Sequence, residues 1–142
     1  MIQVLCRWLI ATMIALVFLA SHAYATGSVD LTDLKVIDGD TIDAKVEVWP
    51  GMWAHERVRL EGIDAPESHS ECQQERVLAD RARGYLVYLT TGKTLVLTWK
   101  GRDKYGRVLG KITLIGGQSV AQMMIDAGLA RHYTGGKRLP WC

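Results

Sequence analysis

Val36-Ile37-Asp38-Gly39-Asp40-Thr41-Ile42-Asp43-Ala44-Lys45-Val46-Glu47-Val48 joins a turn to a strand. Asp38-Gly39-Asp40 has the chemistry of a turn. Ile42, Ala44, Val46 and Val48 then alternate with polar residues at the two-residue period of a half-buried strand. Two carboxylates are thereby placed at the rim of a sheet. Aspartates in such turns most often bond only their own backbone, and the stretch lacks the remaining ligand positions of an EF-hand loop.

Working outward, Leu31–Ile37 and Glu56–Ile63 read as the flanking strands, with Trp49-Pro50-Gly51 as a second turn. Between residues 71 and 89 the period becomes helical, with Leu78, Ala82, Tyr85, Leu86 and Leu89 on one face and Ser70 and Gln73 spaced as a capping box. Residues 94–99 and 107–114 read as two more strands. Ser119 then caps a short helix carrying Val120, Met123, Met124 and Ala127, and Gly128 stands at its C-terminal end. Three strands, a helix, two strands and a helix, with no repeat or heptad series, predict an α+β fold: a five-stranded Greek-key barrel of the OB type with helices.

Arg7, the apolar run Trp8–Ala20 and Ala23-Tyr24-Ala25 have the layout of a secretory signal peptide, so residues 1–25 are expected to be removed and residues 26–142 to form one domain. The run is shorter than the ~20 residues that span a bilayer, which argues against a permanent anchor. The product is expected in the periplasm or the medium, as a monomer. The formal charge of +2 is nearly balanced, so composition gives no argument for nucleic acid. Cys72 and Cys142 remain after processing. In an oxidising compartment they suggest one bridge, closing a loop of about 71 residues worth about 4 kcal/mol; the alternative is two unpaired thiols.

The chemistry-bearing candidates are the carboxylates Asp38, Asp40, Asp64 and Glu67 at strand ends and turns, and Arg59 and Arg107 on strands. A hard divalent cation takes several oxygen ligands, and arginine's planar fork matches two phosphate oxygens. Singly, each arginine is better explained by a solvated strand face or a surface ion pair. His55, His69 and His132 show no zinc-ligand spacing. Trp49 and Trp53 are expected to pack in the core or plug a barrel end. Lys100, Arg102 and Lys104 fit either a phosphate track or a solvated turn.

Three segments taken together resemble the staphylococcal (thermonuclease) nucleases: Val36–Thr41, Arg57–Glu67 and Asp103–Arg107. Their order and separations are similar to the family's signature, and the likeness extends from about Leu34 to Ala130. The resemblance implies an OB-barrel endonuclease that uses Ca2+ to hydrolyse phosphodiester bonds of DNA and/or RNA, with single strands preferred and 3′-phosphate products. It implies Asp40, Asp64 and the Thr41 backbone carbonyl as metal ligands, Asp38 as an acidic neighbour, and Glu67 as the group that positions or deprotonates water. Arg59 and Arg107 would hold the scissile phosphate, and Lys104 and Tyr105 a second one. The chain departs from the founding nuclease after Ala130, where Gly135-Gly136-Lys137-Arg138-Leu139-Pro140-Trp141-Cys142 stands in place of a long third helix. A non-catalytic OB module that only binds nucleic acid is the alternative; such modules usually lose the acidic and arginine positions kept here.

Overall fold

The structure is a computed structural model that describes residues 25–142. The signal peptide expected over residues 1–25 therefore lies outside the described residues, apart from Ala25. Five strands close a barrel: β1 (Ala25–Val36), β2 (Thr41–Trp49), β3 (Met52–Leu60), β5 (Leu95–Arg102) and β6 (Val108–Leu114). The order is β1-β2-β3-β6-β5, with β5 returning to β1. Only β3 and β6 run parallel among these neighbours. This is the predicted OB-type barrel. A separate two-stranded sheet pairs β4 (Ile63–Asp64) with β7 (Arg131–His132), which the sequence pattern did not indicate.

The core follows the alternation. Ile42, Ala44 and Val46 from β2 meet Val58 and Leu60 from β3, Leu95 and Leu97 from β5, and Ile112 from β6, all at most about 1% exposed. Removing one such large side chain costs about 2–5 kcal/mol. Helix α1 (Gln73–Thr90) buries Ala79, Ala82, Leu86 and Leu89, and packs on β1 and on the short helix α2 (Val120–Asp126).

Ser119 caps α2 by accepting from the Gln122 amide at 3.3 Å, and Gly128 reverses the chain at φ 68° so that Leu129 N reaches Met124 O at 3.0 Å. Both were expected. The capping box at Ser70 and Gln73 does not form, because α1 starts two residues later, behind Cys72. Glu75 thus becomes the third helical residue and turns back along the chain. Its carboxylate accepts from the Glu67 amide at 3.0 Å and from the Ser70 hydroxyl at 2.6 Å.

Trp49 and Trp53 are not core residues. They stand at the tip of the β2–β3 hairpin, 70% and 40% exposed, because that hairpin projects past the barrel wall they were expected to fill. Cys72 and Cys142 form a disulfide with a Cα–Cα distance of 6.5 Å, inside the normal span of such bridges. No described helix is long and apolar enough to cross a membrane.

Candidate active site

Strand register brings the candidates together. In the β2–β3 pair Thr41 stands opposite Arg59, and the Leu60 amide donates to the Asp40 carbonyl at 2.8 Å. In the parallel β3–β6 pair Val58 is opposite Val108 and Leu60 opposite Gly110. Since Val58, Leu60 and Val108 point into the core, Arg59 and Arg107 share the outer face. That face floors a cleft of about 1410 Å³ lined by Arg59, Glu67, Lys104, Tyr105, Arg107 and Arg138, among others.

Asp40 and Asp64, each 4% exposed, do not line it but are ion-paired with residues that do, Asp40 with Arg59 and Asp64 with Arg138. Gly39 explains how the Asp38–Asp40 turn gets so close to the Asp64 segment: a Cβ there would lie 2.8 Å from the Cβ of both Ala65 and Ala82. Glycine is needed for close approach, not for an unusual φ. Asp38 serves the turn, accepting from the Asp40 amide at 3.0 Å. Asp40 Oδ1 takes Arg59 NH1 at 2.5 Å and the Thr41 hydroxyl at 2.8 Å, and Oδ2 takes the Ala65 amide at 3.4 Å. Burial pushes the Asp40 carboxyl above its ordinary value, against the pull of Arg59 and with reinforcement from Asp38.

The Thr41 carbonyl expected as a ligand points elsewhere. It accepts from the Ile37 and Asp38 amides at 2.9 and 3.3 Å, closing the 37–41 turn. The Ala65 carbonyl is the one that meets a cation, accepting from Arg138 NH2 at 2.7 Å. Arg138 is also ion-paired with Asp64 and Glu67. Trp141 Nε1 donates to Asp64 Oδ2 at 3.2 Å. Sequence reasoning missed Ala65, Arg138 and Trp141. The signal was the cysteine pair, because a bridge from Cys72 to Cys142 drags the tail onto the loop that carries Glu67.

Arg107 pairs through Nε with Asp103 Oδ2 at 2.7 Å. The Asp103 oxygens also receive the Tyr105 and Arg107 amides, which fixes the 103–107 turn. For Asp103, burial is outweighed by these bonds, and its carboxyl lies below the ordinary value. Lys104 and Tyr105 sit at the cleft mouth, with the lysine Nζ 4.9 Å from the tyrosine ring and Tyr105 71% exposed. Among the described residues no cluster of three or more His, Cys, Asp or Glu is arranged to hold a metal.

A family model described as staphylococcal nuclease homologue matches residues 57–139, more than half of the chain. The chain belongs to the staphylococcal nuclease homologue family. It is 39% identical over 100 residues to an "uncharacterized endonuclease" of Escherichia coli, covering 70% of this chain and 58% of that protein. It is 35% identical over 108 residues to the "micrococcal nuclease" of Shigella flexneri, covering 70% and 56%. It is 38% identical over 77 residues to the "staphylococcal-like nuclease CAN1" of Arabidopsis thaliana, covering 54% and 22%. The chain thus spans little more than half the length of the bacterial relatives. The matched region of the family model contains Arg59, Asp64, Glu67, Arg107 and Arg138.

Proposed function

We propose that this nuclease-family protein is an exported, calcium-dependent endonuclease that hydrolyses phosphodiester bonds of DNA, RNA or both and leaves 3′-phosphate ends. The observation that carries the reading is one cleft lined by Arg59, Glu67, Arg107 and Arg138, with buried Asp40 ion-paired to Arg59 and buried Asp64 to Arg138 just behind it. The donor chemistry fits a hard cation: two buried carboxylates and the Ala65 carbonyl, with a guanidinium already drawn to Asp64 and Ala65. When bound there, calcium would supply positive charge to the phosphate oxygens and acidify a coordinated water. We assign Ala65, not Thr41, as the carbonyl ligand, since the Thr41 oxygen is taken by two amides.

Glu67 is the most exposed of the three carboxylates. It accepts the proton of the water that attacks phosphorus. Arg59 and Arg107 place their forks on the equatorial oxygens, where charge grows most in the transition state. The phosphorus bond to the 5′ oxygen breaks, that oxygen leaves as a hydroxyl by taking a proton from solvent, and the phosphate stays on the 3′ side. A groove of this size suits single strands, whose bases and backbone are reachable without a duplex partner. The Cys72–Cys142 bridge supports an oxidising compartment and hence export.

The test incubates the purified protein with single-stranded DNA, duplex DNA and RNA, with calcium or with a chelator. The expected result is calcium-dependent cleavage, fastest on single strands, leaving ends that a polymerase extends only after phosphatase treatment. Glu67→Gln is expected to lower turnover by about 10²–10⁴-fold with calcium binding kept. Binding without cleavage by the native protein would instead identify a nucleic-acid-binding module.

A further inference from the structure

The chain after β7 folds back over the carboxylates. Tyr133 N donates to Gly62 O at 2.9 Å and the Tyr133 hydroxyl to Gly136 O at 2.6 Å. Gly135 and Gly136 have φ of 104° and 89°, which lets the chain reverse there. The segment is fastened further on by several contacts. Arg131 stacks on Trp141 at 3.6 Å and donates to Pro140 O at 3.1 Å, and Cys142 is bridged to Cys72. Between these fixings Arg138 is ion-paired with Asp64 and Glu67 and donates to the Ala65 carbonyl.

Arg138 covers both the oxygens of Asp64 and Ala65 proposed to bind the cation and the carboxylate that must be open to accept a proton. We infer that Arg138 is a tethered cation: it holds the metal-binding oxygens while no divalent cation is present, and moves onto a substrate phosphate when one takes them. The inference rests on the cation site proposed above and deepens it. A guanidinium and a divalent cation repel at contact distance, so the same oxygens cannot serve both well. Arg138 has little distance to travel, because it already lines the cleft with Arg59 and Arg107. Its planar set of donors then matches phosphate oxygens as theirs do.

The test uses the disulfide-bonded mature protein and two variants, Arg138→Gln and Arg138→Lys. Calorimetric titration with calcium chloride measures cation affinity. Binding of a phosphorothioate-linked single-stranded DNA at saturating calcium measures phosphate affinity. Arg138→Gln is expected to bind calcium at least about tenfold more tightly and the oligonucleotide about tenfold more weakly. Arg138→Lys keeps the charge and is expected to stay near the native calcium affinity. Opposite signs are diagnostic, since loss of a mere structural support would weaken both. The calcium-induced rise in melting temperature is expected to be larger for Arg138→Gln than for the native protein, a readout independent of catalysis. Equal or weaker calcium binding by Arg138→Gln, or unchanged oligonucleotide binding, overturns the inference. If cleavage still requires calcium in that case, the proposed function stands. If neither protein binds calcium, the cation site and the inference fall together.

Discussion

Replacing Gly39 with alanine tests whether the two segments proposed to hold the cation depend on close backbone approach. The added methyl would meet the Ala65 and Ala82 Cβ atoms, each at 2.8 Å. Nonbonded carbons prefer about 3.5–4.0 Å, so each contact is short by about 0.7 Å or more. Neither alanine carbon can rotate away, and Ala82 is wholly buried on α1. The Asp38–Asp40 turn must therefore shift outward, or the helix must. Overpacking of this kind costs about 1–3 kcal/mol. At about 4 °C per kcal/mol for a domain of this size, a cost near 2 kcal/mol lowers the melting temperature by about 8 °C.

The same shift carries Asp40 away from Ala65, whose amide bonds its carboxylate at 3.4 Å. A misplacement approaching 1 Å costs up to about 10²-fold in rate, so cleavage is expected to fall more than the stability loss explains. Thermal melts followed by circular dichroism and a cleavage assay at saturating calcium measure the two effects. Gly39→Ala combined with Ala65→Gly removes one of the two overlaps and is expected to recover part of both. A melting temperature within about 2 °C of native, with cleavage within about twofold, would refute the close-approach reasoning.

Cys142→Ser opens a bridge spanning 70 positions and is expected to cost about 4 kcal/mol, or about 15 °C in melting temperature; a melt that matches the oxidised native protein would contradict this. Glu75 is held below the ordinary glutamate value by the Ser70 hydroxyl first and the Glu67 amide next. A depressed folded value means its contribution is complete above its unfolded value and disappears as pH falls through the folded one. Urea unfolding should therefore find Glu75→Gln less stable than native at about pH 7 and equal to it at about pH 2, and a pH-independent difference would count against the assignment. Arg59→Lys keeps the charge beside Asp40 but loses the fork, so turnover is expected to fall by about 10²–10³-fold; a change below about threefold would remove Arg59 from the phosphate site.

What could be read before the structure depended on how local the cause was. Ile42, Ala44 and Val46 announced their burial because alternation is a property of the strand itself. The Ile63–Asp64 and Arg131–His132 ladder gave no such sign: two residues carry no period, and each half forms only because the other is present. Ala25–Ser28 is small and polar, and becomes strand only by pairing with β5. Among the site residues, Asp40, Arg59, Asp64, Glu67 and Arg107 were visible as charged side chains in signature segments. The Ala65 carbonyl was not, since every residue has a carbonyl and only the path of the chain decides which one faces a cation. Arg138 lies 71 positions from Glu67 in sequence and reaches it only through the folded-back tail.

The nearly balanced charge of the chain is consistent with how the cleft is assembled. Arg57 is paired with Asp43, Arg59 with Asp40, Arg102 with Glu56, Arg107 with Asp103 and Arg138 with Asp64 and Glu67. Such a surface exerts little long-range attraction on a polyanion, so steering contributes less to capture than it does in strongly basic nucleases. The pairs instead hold each guanidinium in place before substrate arrives. Under the proposed function a phosphate would then exchange for a carboxylate partner, which avoids desolvating a bare arginine and lessens the ordering cost of its side chain. The exchange would be most restricted at Arg59, whose side chain is 14% exposed and whose partner Asp40 is also the proposed cation ligand. Arg107, with a side chain 24% exposed and an acid that serves only its own turn, is freer to change partners. The two arginines, equivalent in sequence logic, therefore differ physically: under the proposed function Arg59 would couple phosphate contact to the cation site, and Arg107 would couple it to the 103–107 loop.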